Sequence, residues 1–253
     1  ENLLKHIPRD ALIVPMMHIP IYRGYVDGES FGKRNYTRFF QLFEEHPRVL
    51  SLSAHTHIQE HYFFKAGELG WPHKEREHHH YNVGTTGGSW WFGPLDERGI
   101  PEATMQDGTP NGYAILHFDG SDYTIDWKVA NEAPGKRMNL FAPKVVRRGS
   151  WSSHTRLFVN FFNGSERAQI EFRVDEGDWK SMKKIATLDP EYTARRFQWD
   201  QNANPPPGLP HPYPRESSHI WTGRLPNNRE PGTYSVEVRV TDMYGRTFRE
   251  STN

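Results

Sequence analysis

Cysteine is absent from the 253-residue sequence, and no apolar run approaches the roughly 20 residues that a membrane-spanning helix requires. The first absence excludes disulfide bonds and cysteine-ligated zinc, and the second excludes a helical membrane span. An excess of one charge is also lacking, because 31 Lys and Arg residues balance 31 Asp and Glu residues. A protein dedicated to nucleic acid carries a basic excess that neutralises phosphates, so the sequence does not favour that class.

Aromatic residues supply much of the apolar material. They make up 13% of the sequence, while all hydrophobic residues together reach only 35%. Aromatic side chains bury large areas, so such a chain can still form cores. The strand pattern changes along the chain, and the turn-rich residues 131–135 lie at the change. We therefore predict two domains, residues 1–135 and residues 136–253, with an α/β first domain and an all-β second domain.

The first domain opens with a strand–helix–strand pattern. Residues 11–17 and 49–53 are short apolar runs that predict buried strands. Between them, residues 30–45 carry apolar positions suited to an amphipathic helix, and Ser30 is a suitable N-cap. This order predicts helices packed on the faces of a sheet. The first residues indicate the end of a helix entering a strand, so we expect a truncated start.

Short strands are predicted through the rest of the chain, separated by turns rich in Gly and Pro. They are residues 60–65, 80–84, 112–118 and 123–129, and then 156–162, 169–174, 219–225, 234–241 and 246–250. The third and fourth of these predict a hairpin. No helical period is evident beyond the boundary, and residues 202–214 predict a stiff surface loop. The second domain is therefore expected to be an immunoglobulin-like β-sandwich.

Three histidines follow the two apolar strands of the first domain. His18 stands just after the first strand, and His55 and His57 stand just after the second. Open α/β sheets bind ligands at the carboxyl ends of their strands, and an extended His-x-His segment sends both rings to one side. Neutral imidazole binds Zn, Mn or Fe. We predict a metal site here, although any single histidine among the 14 is more often a surface or core residue.

These motifs resemble the calcineurin-like metallophosphoesterases. In that family one strand ends in His-x-Pro and, after a helix, another ends in Gly-His-x-His. This chain has His18-Ile19-Pro20 and Ala54-His55-Thr56-His57, with Ala54 where the family most often has Gly. Residues 81–91, 107–113, 232–234 and 241–245 further resemble a bacterial subgroup with an extra C-terminal β-sandwich. The resemblance implies the second half of an αββα metallophosphoesterase domain followed by that sandwich.

The resemblance also implies a two-metal phosphoesterase. It assigns His18 and His55 to one divalent ion and His57 to the other, with Mn, Fe or Zn as the metal. The family's earlier motifs are Asp-x-His, Gly-Asp and Gly-Asn-His-Asp/Glu, and none of them occurs ahead of His18. Those motifs carry the bridging carboxylate and the histidine that protonates the leaving group. We therefore expect a fragment that is inactive alone, binds one ion or none, and associates with another copy or with the absent half.

Three further residues are candidates for the substrate pocket. Residues 84–89 are Gly-rich without the P-loop signature, and they predict a tight turn that sets Trp90 and Trp91. Either ring could line a pocket, or the two could form a core aromatic pair. His80 is the third candidate, because the segment after His-x-His approaches the mouth of the site in the related enzymes. With His73, His78 and His79 it could instead form a metal-binding patch or a solvated loop.

The leading functional hypothesis is hydrolysis of a small-molecule phosphate mono- or diester. A second hypothesis is a module that binds carbohydrate or protein, for which four tryptophans of the second domain look exposed: Trp151, Trp179, Trp199 and Trp221. A row of these rings on an open sheet face would favour the binding module, and buried rings would not. A third hypothesis is that the second domain only supports the first. Export from the cell is implied only by the bacterial subgroup.

Overall fold

The computed structural model describes residues 2–22, 32–149 and 155–253. Within them are two α-helices, α1 (Lys33–Gln41) and α2 (Pro190–Asp200), and short 3-10 helices at Leu4–His6 and Glu68–Gly70. The strands of the first half are β1 (Leu50–Ser53), β2 (Glu60–Phe64), β3 (His78–Asn82), β4 (Gly93–Pro94), β5 (Gly112–Asp119) and β6 (Asp122–Val129). Those of the second half are β7 (Met138–Phe141), β8 (Arg156–Phe161), β9 (Gln169–Val174), β10 (Lys180–Ser181), β11 (Lys183–Leu188), β12 (Gly208–Leu209), β13 (Glu216–Arg224), β14 (Val236–Thr241) and β15 (Thr247–Thr252). None of the helices in these residues is long and apolar enough to cross a membrane.

Residues 13–17 run parallel to β1, with α1 between them in the chain. Ile13 pairs with Val49 and Met16 with Leu52, both in parallel. The prediction of a buried strand over residues 11–17 is wrong in one respect, because the segment is only partly buried and Met16 is 76% exposed. Pro15 has no N–H to donate, which interrupts the ladder and leaves two separate bridges.

Helix α1 packs the first core. Its Phe40 is fully buried with Phe43, Phe64 and Trp71, and the Phe40 and Trp71 rings meet edge to face at 5.5 Å. The helix lies inside the predicted residues 30–45 but is shorter. The predicted N-cap, Ser30, falls outside the described residues.

A three-stranded sheet has β3 at its centre, parallel to β1 and antiparallel to β2. Every side chain of β3 is buried. The solvated-loop interpretation of His78, His79 and His80 is therefore wrong. These imidazole rings pack against aromatic rings: His78 meets Phe40 edge to face at 4.8 Å, and His79 stacks on Phe63 at 4.5 Å.

Two four-stranded sheets, ordered β10-β9-β14-β15 and β11-β13-β8-β7, share one apolar core. Phe172 of β9 reaches the opposite sheet, where a Cβ on Gly223 would lie 2.5 Å from its ring. Gly223 therefore leaves room for that ring. The strands predicted beyond residue 155, and the β5–β6 hairpin, are confirmed within a few residues at each end. Immunoglobulin-like connectivity and the boundary at residue 135 stay predictions.

Helix α2 contradicts the prediction that the second half lacks helices. Asp189 caps it by accepting a hydrogen bond from the Tyr192 N–H at 2.8 Å, and Pro190 occupies its first turn. The Asp189-Pro190-Glu191 sequence is a helix-start signal that a search for apolar periodicity does not detect. The apolar stripe of α2 is weak because the helix lies at the surface, where only its Tyr192 and Arg196 are buried.

Backbone pairing also joins the two halves of the chain. β12, inside the predicted loop 202–214, pairs antiparallel with β4. The Leu95 N–H donates to the Pro207 carbonyl at 2.8 Å, which extends this contact. The long Pro-rich segment therefore crosses back to the first half instead of standing free in solvent.

We predict that Phe172→Ala lowers the free energy of unfolding by about 3–5 kcal/mol, because it leaves a cavity between the two packed sheets. Phe118→Ala is the matched control, since Phe118 is 53% exposed and its loss leaves no cavity. Urea unfolding followed by tryptophan fluorescence measures both. Equal losses of stability in the two variants would contradict the shared core.

Candidate functional site

The site begins with two histidines brought together by parallel pairing. The Met17 N–H donates to the Leu52 carbonyl at 3.0 Å, and the Ala54 N–H donates to the His18 carbonyl at 3.1 Å. His18 and His55 consequently leave the sheet side by side. The His55 Nδ1 and His18 Nε2 atoms lie 2.9 Å apart, and the rings meet edge to face with centroids 4.8 Å apart.

His57 lies beside this pair and beneath a tryptophan. Its ring centroid is 4.7 Å from that of Trp90, and its Nδ1 atom is buried without a hydrogen-bond partner among the described residues. Burial is the largest cause that lowers the pKa of His57, followed by the charge of His55. A hydrogen bond to the Gly88 backbone acts in the opposite direction. His57 therefore favours the neutral imidazole that a metal ion requires.

The His-x-His segment is not extended, so that part of the prediction is wrong. His55 and His57 both have left-handed backbones, with φ of 71° and 57°. Trp90 and Trp91 are left-handed too, at 78° and 57°. These four are half of the eight non-glycine residues with positive φ in the described part of the chain. Such conformations are unfavourable for these residue types and cluster at functional sites.

A tight turn over residues 86–90 presents the two tryptophans. At Gly88, which has φ of 57°, an added Cβ would lie 1.7 Å from the Ala103 carbonyl oxygen, so only glycine fits. The Thr85 hydroxyl donates to the Gly88 carbonyl at 2.7 Å. Trp90 and Trp91 are 67% and 51% exposed, so the core-pair interpretation is wrong. They lie at the surface, with Trp90 against His57.

Arg215 of the second half also lies in this region, although no sequence pattern predicts it. Its N–H donates to the Gln106 carbonyl at 3.0 Å, and the Gln106 N–H donates to the Ser89 hydroxyl at 3.1 Å. The charge of Arg215 is close enough to contribute to the lowered pKa of His57. No local motif marks Arg215, because its place depends on a contact between distant segments.

His80 does not line the pocket, which corrects its assignment as a candidate. It is fully buried, with its Nδ1 atom 2.7 Å from the Ser51 hydroxyl and its Nε2 atom 3.1 Å from the Ser53 hydroxyl. The Ile21 N–H also donates to Nε2, at 3.3 Å. Burial is the main cause that lowers the pKa of His80 to about 3. His80 therefore stabilises β1, the strand that precedes His55, through its contacts with Ser51 and Ser53.

The tryptophans named for a binding module do not form an open row. Trp221 is 2% exposed inside the shared core, and Trp151 lies outside the described residues. Trp179 is covered by three guanidinium groups at 4.4–5.6 Å from its ring, those of Arg173, Arg239 and Arg249. Trp199 is half-buried. The described residues therefore offer no tryptophan platform on a sheet face.

Divalent metal ions fit part of this site. The facing nitrogens of His18 and His55 are near the separation that two nitrogen ligands of one ion adopt, roughly 3 Å. The partnerless Nδ1 atom of His57 is a further nitrogen donor. In residues 2–22, 32–149 and 155–253, no three His, Cys, Asp or Glu side chains converge as a group that holds a metal. The nitrogen ligands available to divalent ions are thus the His18–His55 pair and, beside it, His57.

The family model for the C terminal of Calcineurin-like phosphoesterase matches residues 80–248, more than half of the chain. The chain belongs to this family. Comparison with curated proteins and with solved structures gave no match. As a calcineurin-like phosphoesterase C-terminal region, the chain has a hydrolase context, and divalent metals are general in that family. The match runs from β3 onward, so His18, His55 and His57 precede it.

Because this chain buries several histidines, we predict that its free energy of unfolding falls at acidic pH. Burial is the main cause that lowers the pKa of both His61 and His80 to about 3. Below the ordinary value of 6.5 the unfolded chain binds protons that the folded chain does not. Stability is therefore lost as the pH falls, by about 2 kcal/mol for each histidine between pH 7.5 and 5. Urea unfolding at the two pH values measures this loss. The variant His80→Asn should lose about 2 kcal/mol less than the wild type, and an equal loss in both would contradict the account.

Proposed function

We propose that the chain contributes to metal-dependent hydrolysis of a phosphate mono- or diester of a small molecule. His18, His55 and His57 supply nitrogen ligands to a two-metal centre. The observation that carries the proposal is the 2.9 Å contact between His18 and His55 ring nitrogens at adjacent strand ends. Membership of a phosphoesterase family gives that contact its chemical context.

His18 and His55 hold one divalent ion and His57 the other, with Mn, Fe or Zn as the metal. When bound, such ions act as Lewis acids on the phosphoryl oxygens and make water more acidic. No Asp-x-His, Gly-Asp or Gly-Asn-His-Asp/Glu motif precedes His18. We therefore assign the bridging carboxylate and the acid histidine to a segment other than residues 1–253, and we expect these residues alone to have little activity.

The other side chains of the site orient ligands and bind substrate. Trp90 packs on His57 and limits the rotation of its ring, while the Gly88 turn fixes Trp90 itself. The exposed faces of Trp90 and Trp91 form an apolar wall for the organic part of the ester. Arg215 adds a positive charge close to His57, which favours an anionic phosphoryl group at that point.

The test is the metal content of the chain after it is loaded with Mn²⁺ and desalted. We expect about one retained ion per chain if the His18–His55 pair holds an ion without further ligands. The triple variant His18→Ala, His55→Ala, His57→Ala should retain none. His117→Ala is the control, because His117 is a largely exposed histidine of β5 outside the site.

Retention of Mn²⁺ by the triple variant would contradict the ligand assignment. Absence of retention by the wild type would contradict a preformed half-site. In the enzyme that also carries the missing motifs, His55→Ala should lower phosphodiesterase activity at saturating Mn²⁺ by about a hundredfold. Unchanged activity there would overturn the proposed function.

A further inference from the structure

A buried carboxylate anchors the chain just after the site histidines. Asp107 is fully buried, and its Oδ2 atom accepts from the Gln59 N–H at 2.8 Å. Gln59 is only two residues beyond His57. The Oδ1 atom of Asp107 accepts from the Thr109 N–H at 2.9 Å. Asp107 therefore links the backbone at Gln59, just after the His55–His57 segment, to the backbone at Thr109.

A histidine from the second half reaches the same carboxylate. The Nε2 atom of His219, which is 1% exposed, lies 3.1 Å from Oδ2 of Asp107. Its Nδ1 atom lies 2.8 Å from Oδ1 of Asn160. The Asn160 amide nitrogen donates to the Asp107 backbone carbonyl at 3.0 Å and to Asp189 at 2.8 Å. A carbonyl oxygen only accepts, so the orientation of the Asn160 amide is fixed, with its oxygen toward His219.

This arrangement determines the protons on His219. Nδ1 must donate, because it faces the amide oxygen of Asn160. Nε2 faces a carboxylate oxygen, so one more proton lies between Nε2 and Oδ2 of Asp107. Two backbone N–H groups already donate to that carboxylate, which favours its ionised form. The proton therefore belongs to His219, and the pair is a buried imidazolium with a carboxylate.

We propose that His219, as a charged imidazolium, is a positioning residue for the site: it holds Asp107 against the Gln59 N–H and so fixes the segment that carries His57. The metal-binding part of this inference rests on the proposed function. It gives the two-sheet half of the chain a role in the site, because His219 lies on β13. A support that merely covered the first half would need no such charge.

Other titratable groups from several elements surround the pair. Asp189 faces Asn160 from the start of α2, and burial is the largest cause that raises its pKa. Tyr81 from β3 and Tyr192 from α2 interact with the charge of Asp107, and burial mainly raises the pKa of each. His61 from β2 interacts with His219, and burial mainly holds it neutral.

The variant Asp107→Asn tests the hydrogen bond between Asp107 and the Gln59 N–H with little change in side-chain size. Without a counter-charge, His219 becomes neutral and its Nε2 atom needs a donor, which the new amide NH₂ supplies. The single amide oxygen then faces Thr109, and the Gln59 N–H loses its acceptor. Asp242→Asn is the matched control, because buried Asp242 also accepts two backbone N–H groups, those of Tyr244 and Arg246, and pairs with the Arg246 guanidinium.

The experiment combines ¹⁵N NMR of the histidine rings with amide hydrogen exchange and Mn²⁺ binding. At pH 7.5 an ordinary histidine is about nine-tenths neutral. We expect one ring, identified by its loss in His219→Gln, to show two protonated nitrogens. Asp107→Asn should speed exchange of the Gln59 amide at least tenfold and weaken Mn²⁺ binding about tenfold. Asp242→Asn should change neither.

A neutral His219 in the wild type would overturn the inference. A rapidly exchanging Gln59 amide in the wild type would also overturn it, and that measurement needs no variant. Unchanged Mn²⁺ affinity in a folded Asp107→Asn variant would overturn the positioning role. Failure of the wild type to bind Mn²⁺ would instead count against the preformed half-site of the proposed function, and the NMR and exchange results would still decide whether His219 anchors the segment.

Discussion

The parallel pairing of residues 13–17 with β1 places two histidines, 37 positions apart in sequence, in direct contact. Parallel strands that end at the same edge of a sheet deliver their next residues to one place. The ladder is interrupted at Pro15 but continues beyond it, and the hydrogen bond from the Ala54 N–H to the His18 carbonyl is the last before the side chains meet. The rest of the site is arranged around this point, with His57 on one side and β3 below.

The two halves of the chain meet through apolar side chains, such as Phe162 against Met105 and Trp127, and also through buried polar groups. Burial of polar groups is costly unless each finds a partner. Across the junction His61 pairs with Asn163, and both Asn160 and His219 pair with Asp107. Directional hydrogen bonds fix orientation more closely than apolar contact does. The junction thereby ties the histidine-bearing segment and the Trp90 turn to the two-sheet half, which carries His219 and Arg215.

Local patterns predicted the elements better than they predicted the site. Alternation identified β14, because half-buried strands repeat every two residues, and the turn residues 119–122 between two short strands identified the β5–β6 hairpin. Helix α2 was missed because its start signal is polar and its apolar stripe is weak. The contact of His18 with His55 followed from strand order. Arg215, His219 and the buried place of His80 depend on packing between distant segments, which no local pattern encodes.

The central claim is that His18 and His55 are ligands of one divalent ion. Anomalous diffraction from crystals of the Zn²⁺- or Mn²⁺-loaded chain tests it most directly. The account predicts a peak within roughly 2.0–2.3 Å of His18 Nε2 and His55 Nδ1, the distance of a metal–imidazole bond. A peak only at other histidines, with the His18–His55 hydrogen bond intact, would contradict it.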